Sequence, residues 1–521
     1  MSDDVNKGLA EAPVVPTPLP TEAVATSQPG TGVRELDKVL LKGVAWTATV
    51  KWITQLMTWG MTVMVARLLL PSDYGLVGMA IIYINLFTLF SEFGIGTAVV
   101  TMQELSENQL SQLNMLSFLL GLVGFVISAL AAIPLGKFFR APNLPAIVLV
   151  LSIGFIISGI RTVPYSLLQK ELRFKLLAVI EGLQSLVQAV VTLVLAFLHF
   201  RYWAIVLGIL SFSIAPTILT LIWRRQGFAF PHWPSIRKAI TYSRHIVIGR
   251  LCWASYNDSD FIVAGRVLGE AALGAYTLAW TLAHTPLEKL TTLVNRVTPS
   301  VFAKIQNDPV ALRRYLENIT GSVGLAIFPA TIGIALVAPE FVPLILGSKW
   351  HAAIVPLQLL ALHALIRTNA ILLAPLLNVI GEEAMVMWNS IFGMFVLPIS
   401  FYIGSRWETV GIAAVWVVVY PLVQIPLFSR VFRRIDLPRS EYLGTLWPAI
   451  SSCAVMSVAI AGLRLAAPET WPLSLRLTAE VLVGVIAYAV ALVLFHRQRL
   501  QAMLQFVKAW RAGNAYAAPV E

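Results

Sequence analysis

Residues 66–80 read ARLLLPSDYGLVGMA, and residues 265–279 read GRVLGEAALGAYTLA. Laid over one another at a constant offset of 199, Arg67 meets Arg266, Leu69 meets Leu268, Gly75 meets Gly274 and Ala80 meets Ala279. Extended backward, the same offset sets Lys51 on Arg250, two of the few cations inside long apolar segments. A chain built from two copies of one unit follows if both copies sit in equivalent surroundings, so the next question is what surrounds them.

The composition answers it. Of 521 residues, 57% are hydrophobic and 12% charged, where a soluble domain carries about a quarter charged; the mean hydropathy is +0.77. A membrane helix needs roughly 20 mostly apolar residues. Stretches of that kind fall at about 43–65, 75–99, 112–135, 144–164, 176–198, 203–223, 240–264, 272–294, 319–346, 353–379, 385–403, 409–429, 443–463 and 475–495. The sequence therefore predicts an all-α polytopic membrane protein of about 14 transmembrane helices. Residues 1–35, rich in Pro, Thr and Ala and lacking an apolar run, read as a disordered cytoplasmic tail and not a signal peptide.

Lys and Arg orient these spans. With both termini in the cytoplasm, 25 of the 38 lie in inside segments, nine in outside loops, and four (Lys51, Arg250, Lys289 and Arg367) within the membrane. The bias fits the positive-inside rule and an even number of helices, and it accounts for most of the net charge of +11 without nucleic acid. Trp203, Trp223, Trp350 and Trp447 stand at span ends, as an aromatic belt would.

Six spans separate the two copies of the repeat. Six is even, so the copies run in the same direction, and parallel repeats of this kind usually enclose a central pathway. The predicted organisation is an N-lobe over 36–230 (spans 1–6), a C-lobe over 231–435 (spans 7–12), a C-terminal helix pair over 436–496 and a cytoplasmic C-tail over 497–521: two parallel-repeat six-helix lobes plus a pair.

Four segments carry a family resemblance: ARLLLPSDYGLVGMA (66–80), FSEFGIGTAVV (90–100), NDSDFIVAGRVLGEAALGAY (257–276) and LGSKW (346–350). In this order and on these spans they resemble the Wzx-type lipid-linked oligosaccharide flippases of the multidrug/oligosaccharidyl-lipid/polysaccharide exporter superfamily, in its colanic-acid-exporter-like branch, over about 36–435. The resemblance implies a two-lobe fold in the bacterial inner membrane. It also implies alternating access that moves an undecaprenyl-diphosphate-linked oligosaccharide to the periplasmic leaflet for exopolysaccharide, capsule or O-antigen synthesis. It brings no fixed catalytic residues, so site expectations rest on the charges.

A charge at mid-bilayer costs at least ~2.5–3.5 kcal/mol on insertion scales, so it faces a partner or a wet cavity. At 1.5 Å per residue, Lys51 lies roughly 13 Å past Lys42 and Arg250 roughly 15 Å past Ile240, both near mid-depth. Lys51, Arg250 and Arg367 are the candidates for holding the diphosphate, a dense anion suited to Arg and Lys donors; the competing reading pairs each with a carboxylate or lets it snorkel. On a regular helix Arg250 and Asn257, seven apart, share a face, while Asp258 and Asp260 fall to opposite sides. The expectation is that Asn257, Asp258 and Asp260 supply the cavity's polar or coupling groups: one carboxylate, Asp258 by preference, lines the lobe interface, and the other, Asp260, caps the helix end near Arg266. Either carboxylate alternatively serves a purely structural pairing. Glu92, Glu288 and Lys289 form a candidate cytoplasmic gate, or else a water-satisfied helix end.

No other chemistry stands out. The seven His are scattered, the two Cys lie in apolar segments, and no P-loop, CxxC or HExxH motif occurs, so no cofactor, metal site or direct ATP hydrolysis is expected. A membrane polysaccharide polymerase or ligase needs a large outer loop with catalytic Arg or His, and the outer loops are short. A drug/cation antiporter of the same superfamily favours intramembrane carboxylates and twelve spans, and a lipid II flippase matches the motifs less well. Expected partners are the lipid-linked oligosaccharide, the bilayer and a polysaccharide polymerase with its co-polymerase, with the chain acting as a monomer.

Overall fold

The computed structural model describes residues 60–91, 95–102, 105–171, 173–232, 234, 257–468 and 470–501. Every regular element among them is helical, as lipid requires of a chain that must satisfy its backbone internally. The first half holds α1, described over Gly60–Leu68, then α2 (Pro71–Ser91), α3 (Ile95–Thr101), α4 (Glu107–Phe139), α5 (Leu144–Lys170), α6 (Phe174–Phe197) and α7 (Tyr202–Trp223). The second half holds α8 (Ser259–Val263), α9 (Glu270–Ile305), α10 (Pro309–Phe341), α11 (Ile354–Ala370), α12 (Leu373–Val379), α13 (Glu383–Gly404) and α14 (Glu408–Arg434), followed by α15 (Arg439–Ala466) and α16 (Leu473–Phe495).

Caps open two of the longest. The Ser106 side chain accepts from the Gln109 backbone N–H while the Gln109 side chain accepts from that of Ser106, a capping box ahead of α4. The Asp308 carboxylate accepts from Val310 and Ala311 to start α10. Pro329 and Pro339 sit inside α10 without ending it, and the chain loosens into a π-helical turn only at Val342–Leu346.

Among the described residues nine helical stretches are long and apolar enough to cross a membrane, or ten if the bent pair Gly60–Leu68 and Pro71–Asn85 counts as one. One of the nine, Glu383–Arg434, contains both α13 and α14, which fold against each other at the tight turn Ser405–Trp407. α9 covers the predicted 272–294 stretch but carries Glu288, Lys289, Arg296 and Lys304 and is not among the nine. Most of 43–65 and 240–264 lies outside the described residues. Apolar side chains such as Phe395, Ile399, Val485 and Ile486 are more than half exposed, which in water would be a liability and in lipid is a match. The chain is a multi-pass, all-helical membrane protein.

Ion pairs fall into two groups. Glu107 and Glu171 pair with Arg224, Glu382 with Arg430 and Arg434, and Glu441 with Arg313; all of these come from segments expected inside. Asp73 pairs with Arg201, and Glu340 and Glu480 with Arg464; all of these lie at ends expected outside. None of the described pairs joins one group to the other, as successive helices crossing in alternating directions require.

The repeat has a physical counterpart. α2 begins at Pro71 and α9 at Glu270, 199 residues apart, each after an interruption. The chain bends by 114° between α1 and α2, and α8 passes into a π-helical turn over Ala264–Leu268 that ends at Gly269 with φ +88°. α2 and α9 then cross in contact. A Cβ on Gly75 would sit 1.7 Å from the Glu270 carbonyl oxygen, and one on Gly274 1.8 Å from the Pro71 carbonyl oxygen. Only glycine allows so close an approach, and the contact is reciprocal, since matched residues of the repeat touch matched residues. Around this crossing lies the largest core cluster, including Leu76, Ala80, Leu273, Tyr276, Trp350 and Trp416.

Candidate functional site

Above the crossing, on the side expected to be outside, the two halves are pinned by backbone acceptors. Arg67 donates from Nε to the Ile345 carbonyl at 2.6 Å and from Nη2 to that of Leu344. Lys349 Nζ donates back to the Arg67 carbonyl at 2.6 Å, and Trp350 Nε1 donates to the Ala66 carbonyl at 2.9 Å. Trp350 is fully buried with its edge against Tyr74, so the belt position expected from its place at a span end is corrected: its indole N–H has a protein acceptor and no need of the interface. Trp223 and Trp447 are exposed as expected.

Below the crossing, α8, α9, α11 and α14 enclose a polar cluster. Asp260 is completely buried, and its Oδ2 accepts from Tyr276 Oη at 2.6 Å and Trp416 Nε1 at 2.9 Å. The expectation that Asp260 caps the helix end near Arg266 is therefore corrected. Arg266 lies 5.5 Å over the Phe138 ring, and the regular-helix geometry behind the expectation does not hold, because α8 starts only after a turn at Asp258 and ends in a π-helical turn. Asn257 and Asp258 are half-buried. Arg367 Nη2 donates to Asn257 Oδ1 at 3.3 Å, and Asn257 Nδ2 donates to Asp258 Oδ1 at 3.2 Å. Three residues singled out in the sequence thus form one chain of contacts, with Asp260 in a separate pocket of aromatic donors.

One turn before Arg367 on α11 stands His363, fully buried, whose Nδ1 lies 3.1 Å from Nε2 of His284 on α9. His284 Nδ1 faces the Trp280 carbonyl at 3.1 Å, so in the neutral pair it carries the hydrogen there. His284 Nε2 then accepts from His363 Nδ1, which leaves His363 Nε2 as a bare lone pair, with no hydrogen-bond partner among the described residues. The rings stack on Trp280 (3.9 Å) and Trp416 (4.6 Å). Two of the scattered histidines are one unit, 79 residues apart in sequence, and no local spacing announces it.

Lys51, Glu92 and Arg250 lie outside the described residues, as does the side chain of Lys289. Glu288, one turn beyond His284, is exposed. Among the described residues no group of His, Cys, Asp and Glu has the geometry to hold a metal.

Residues 64–355 match the model of the family described as "Polysaccharide biosynthesis protein". The chain belongs to this family. It is 27% identical over 340 residues to the lipopolysaccharide biosynthesis protein WzxC of Escherichia coli (strain K12), covering 63% of this chain and 67% of that protein. It is 23% identical over 495 residues to the succinoglycan biosynthesis transport protein ExoT of Rhizobium meliloti (strain 1021), covering 93% and 99%. In fold the chain resembles the lipid II flippase MurJ in an inward closed conformation, with a TM-score of 0.65, 13% identity and coverage of 88% and 100%. It also resembles an inward-facing multidrug transporter of the MATE family, with a TM-score of 0.55, 18% identity and coverage of 74% and 94%. The Wzx-type membership expected from the four motifs is shown by these relatives, and the fold is that of the wider superfamily.

Proposed function

We propose that this membrane protein flips undecaprenyl-diphosphate-linked oligosaccharide repeat units from the cytoplasmic to the periplasmic leaflet of the bacterial inner membrane. It is a transporter and not an enzyme, in keeping with its relatives. The observation that carries the reading is the family match over 64–355, which includes both copies of the repeat.

In this reading the N-lobe (36–230) and the C-lobe (231–435) rock about the α2–α9 crossing, with both termini cytoplasmic and the 436–496 pair alongside the C-lobe. The Gly75–Gly274 contact and the Arg67 clasp close the periplasmic end, so the state is one that loads from the cytoplasm. Arg367 lies roughly 20 Å along α11 from Ile354, well inside a hydrocarbon layer about 30 Å thick. With Lys51 and Arg250 it supplies donors for the diphosphate, and Asn257 holds its guanidinium while Asp258 tempers the local charge. Glu92, Glu288 and Lys289 would then guard the cytoplasmic entrance. A polymerase and its co-polymerase take up the product outside, and one chain with two lobes suffices for the flip.

The test compares surface polysaccharide and the inner-leaflet pool of lipid-linked repeat units in the wild type, a gene deletion, and Lys51→Ala, Arg250→Ala and Arg367→Ala at equal membrane abundance. Loss of surface glycan with a swollen lipid-linked pool is expected in the deletion and the three variants. Unchanged export in the deletion refutes the reading, and unchanged export in the variants alone refutes the diphosphate site.

A further inference from the structure

The stretch that leaves α7 toward the second half, residues 224–232, is non-helical and lies along α4. Its contacts fall on Glu107, Ser111, Asn114 and Phe118, a spacing that makes one stripe of a helix. Arg224 anchors the start, pairing with Glu107 and with Glu171 at the end of α5. Gln226 Nε2 donates to Glu107 Oε2 at 3.3 Å and to Ser111 Oγ at 3.2 Å. Asn114 Nδ2 donates to the Gln226 and Gly227 carbonyls at 3.3 and 3.2 Å, and the Ala229 N–H donates to the Ser111 carbonyl at 3.2 Å. Phe228 meets Phe118 edge-on, and the His232 N–H returns to Gln112 Oε1 at 3.1 Å. Gln112 and Asn114 are buried polar side chains near the start of a membrane helix, and this segment is what they hold.

This seat fits only a water-filled inner end. The backbone N–H groups of Arg225, Gln226, Gly227, Phe228 and Phe230 have no acceptor among the described residues. Phe118 lies roughly 17 Å along α4 from Glu107, so the tip of the segment enters the membrane-spanning part of the helix. Non-helical backbone at that depth is tolerated inside protein or beside water, not against lipid. The protein does not take these hydrogens, so water does. Were the inner end to close with the segment in place, the same N–H groups would be dried without partners, and each orphaned donor is costly. The grip is also light. Beyond Arg224 every hydrogen bond that holds the segment is 3.1–3.3 Å long, at the weak end of the normal range. Asn114 Oδ1 has no partner among the described residues, and Phe228 and Phe230 remain exposed.

We infer that residues 224–232 are a displaceable strap, seated on the 107–118 stripe of α4 while the outer end is closed and lifted from it when the outer end opens and the inner end shuts. The strap occupies the inner vestibule in the loading state. It is also the described part of the connection between the two halves, so lobe movement acts on it directly. With Arg224 tied to Glu107 and Glu171, it releases from the His232 end. The inference rests on the alternating-access part of the proposed function.

The test uses the full-length protein in lipid nanodiscs, with Cys252 and Cys453 replaced by serine. A Cβ on Gly227 stands 4.0 Å from Ser111 Cβ, within the roughly 3.5–4.5 Å span of a disulfide, so Ser111→Cys with Gly227→Cys should cross-link under mild oxidation. Ser111→Cys alone reads release of the strap through its labelling by a water-soluble maleimide. Gly274→Ala, whose Cβ would crowd the Pro71 carbonyl at the closed outer end, is expected to raise that labelling rate about fivefold or more. Gly75→Ala repeats the arm should that variant fail to fold. In cells, bridging the Cys pair with the short permeant reagent dibromobimane should lower surface glycan about tenfold against either single Cys variant treated alike. Absence of the cross-link, or normal export across the bridged pair, overturns the proposal. Equal labelling with either alanine overturns it too, and would make the segment a fixed element at the lipid interface. A gene deletion that leaves surface glycan intact refutes the export reading instead, and the nanodisc arms still decide the strap.

Discussion

Gly75 of α2 and Gly274 of α9 occupy the same place in the two copies of the repeat, and each packs against the carbonyl that begins the other's helix, at Glu270 and Pro71. A methyl group at either position would overlap a backbone oxygen, which no side-chain rearrangement can relieve. Overpacking of this sort costs typically ~1–3 kcal/mol, here charged wholly against the state in which the helices cross. Gly75→Ala and Gly274→Ala should therefore shift the protein away from its closed outer end. In a Leu273→Cys background, Leu273 being fully buried at the crossing, labelling by a membrane-impermeant maleimide is expected to rise about tenfold. Equal labelling in the presence of either alanine would mean that the crossing is not the seal.

Glu382, between α12 and α13, is bound by Arg430 and Arg434 of α14, and hydrogen bonds from first Arg430 and then Arg434 hold its carboxyl below the ordinary range. A depressed folded-state value means that the unfolded chain binds the proton more tightly. The stabilisation is complete well above the unfolded value of about 4.3 and is lost as pH falls through the lower folded value. The wild type should melt at a higher temperature than Glu382→Gln at pH 7 and 6, and the difference should shrink below about pH 4. A difference that persists unchanged into strong acid would show that the ion cluster is not its cause. Because the site is at the surface, added salt should also narrow the gap.

The fold was legible where the physics is one-dimensional. Apolar length gives the nine spans found among the described residues, and the Gly75–Gly274 register at an offset of 199 reappears as a reciprocal contact. At the candidate site the sequence singled out Asn257, Asp258 and Arg367 separately, and it is the packing of α11 that links them in one chain of contacts, since no spacing relates positions 110 residues apart. Asp260 departs from the expected helix-end cap because the turn at Asp258 and the π-helical turn over Ala264–Leu268 interrupt the 100° progression on which facing arguments rest. The His284–His363 pair was invisible, since only the packing of α9 on α11 brings them together.

The histidine pair makes a prediction of unequal signs. Replacing His284 alone by Phe leaves the His363 Nδ1–H buried without an acceptor, and an orphaned buried donor costs about 1–3 kcal/mol. Replacing both by Phe removes donor and acceptor together and should approach neutrality. Thermal unfolding in detergent is thus expected to rank wild type and the double variant above either single variant. If the double variant is as unstable as the sum of the singles, the rings do not act as a hydrogen-bonded unit.

Arg367 and Asn257 separate binding from positioning. Arg367 brings the charge, whereas Asn257 Oδ1 accepts one of its N–H groups at 3.3 Å and so fixes where the guanidinium points. Arg367→Ala should lower surface glycan about tenfold or more and swell the lipid-linked pool. Asn257→Ala, which leaves the charge, should lower it less. Arg367→Lys should fall between the two, because an ammonium keeps the charge but lacks the planar fork that grips two phosphate oxygens at once. Should Asn257→Ala and Arg367→Ala prove equally harmful at equal abundance, while Arg367→Lys exports normally, the contact with Asn257 would be structural and the guanidinium would not be what holds the diphosphate.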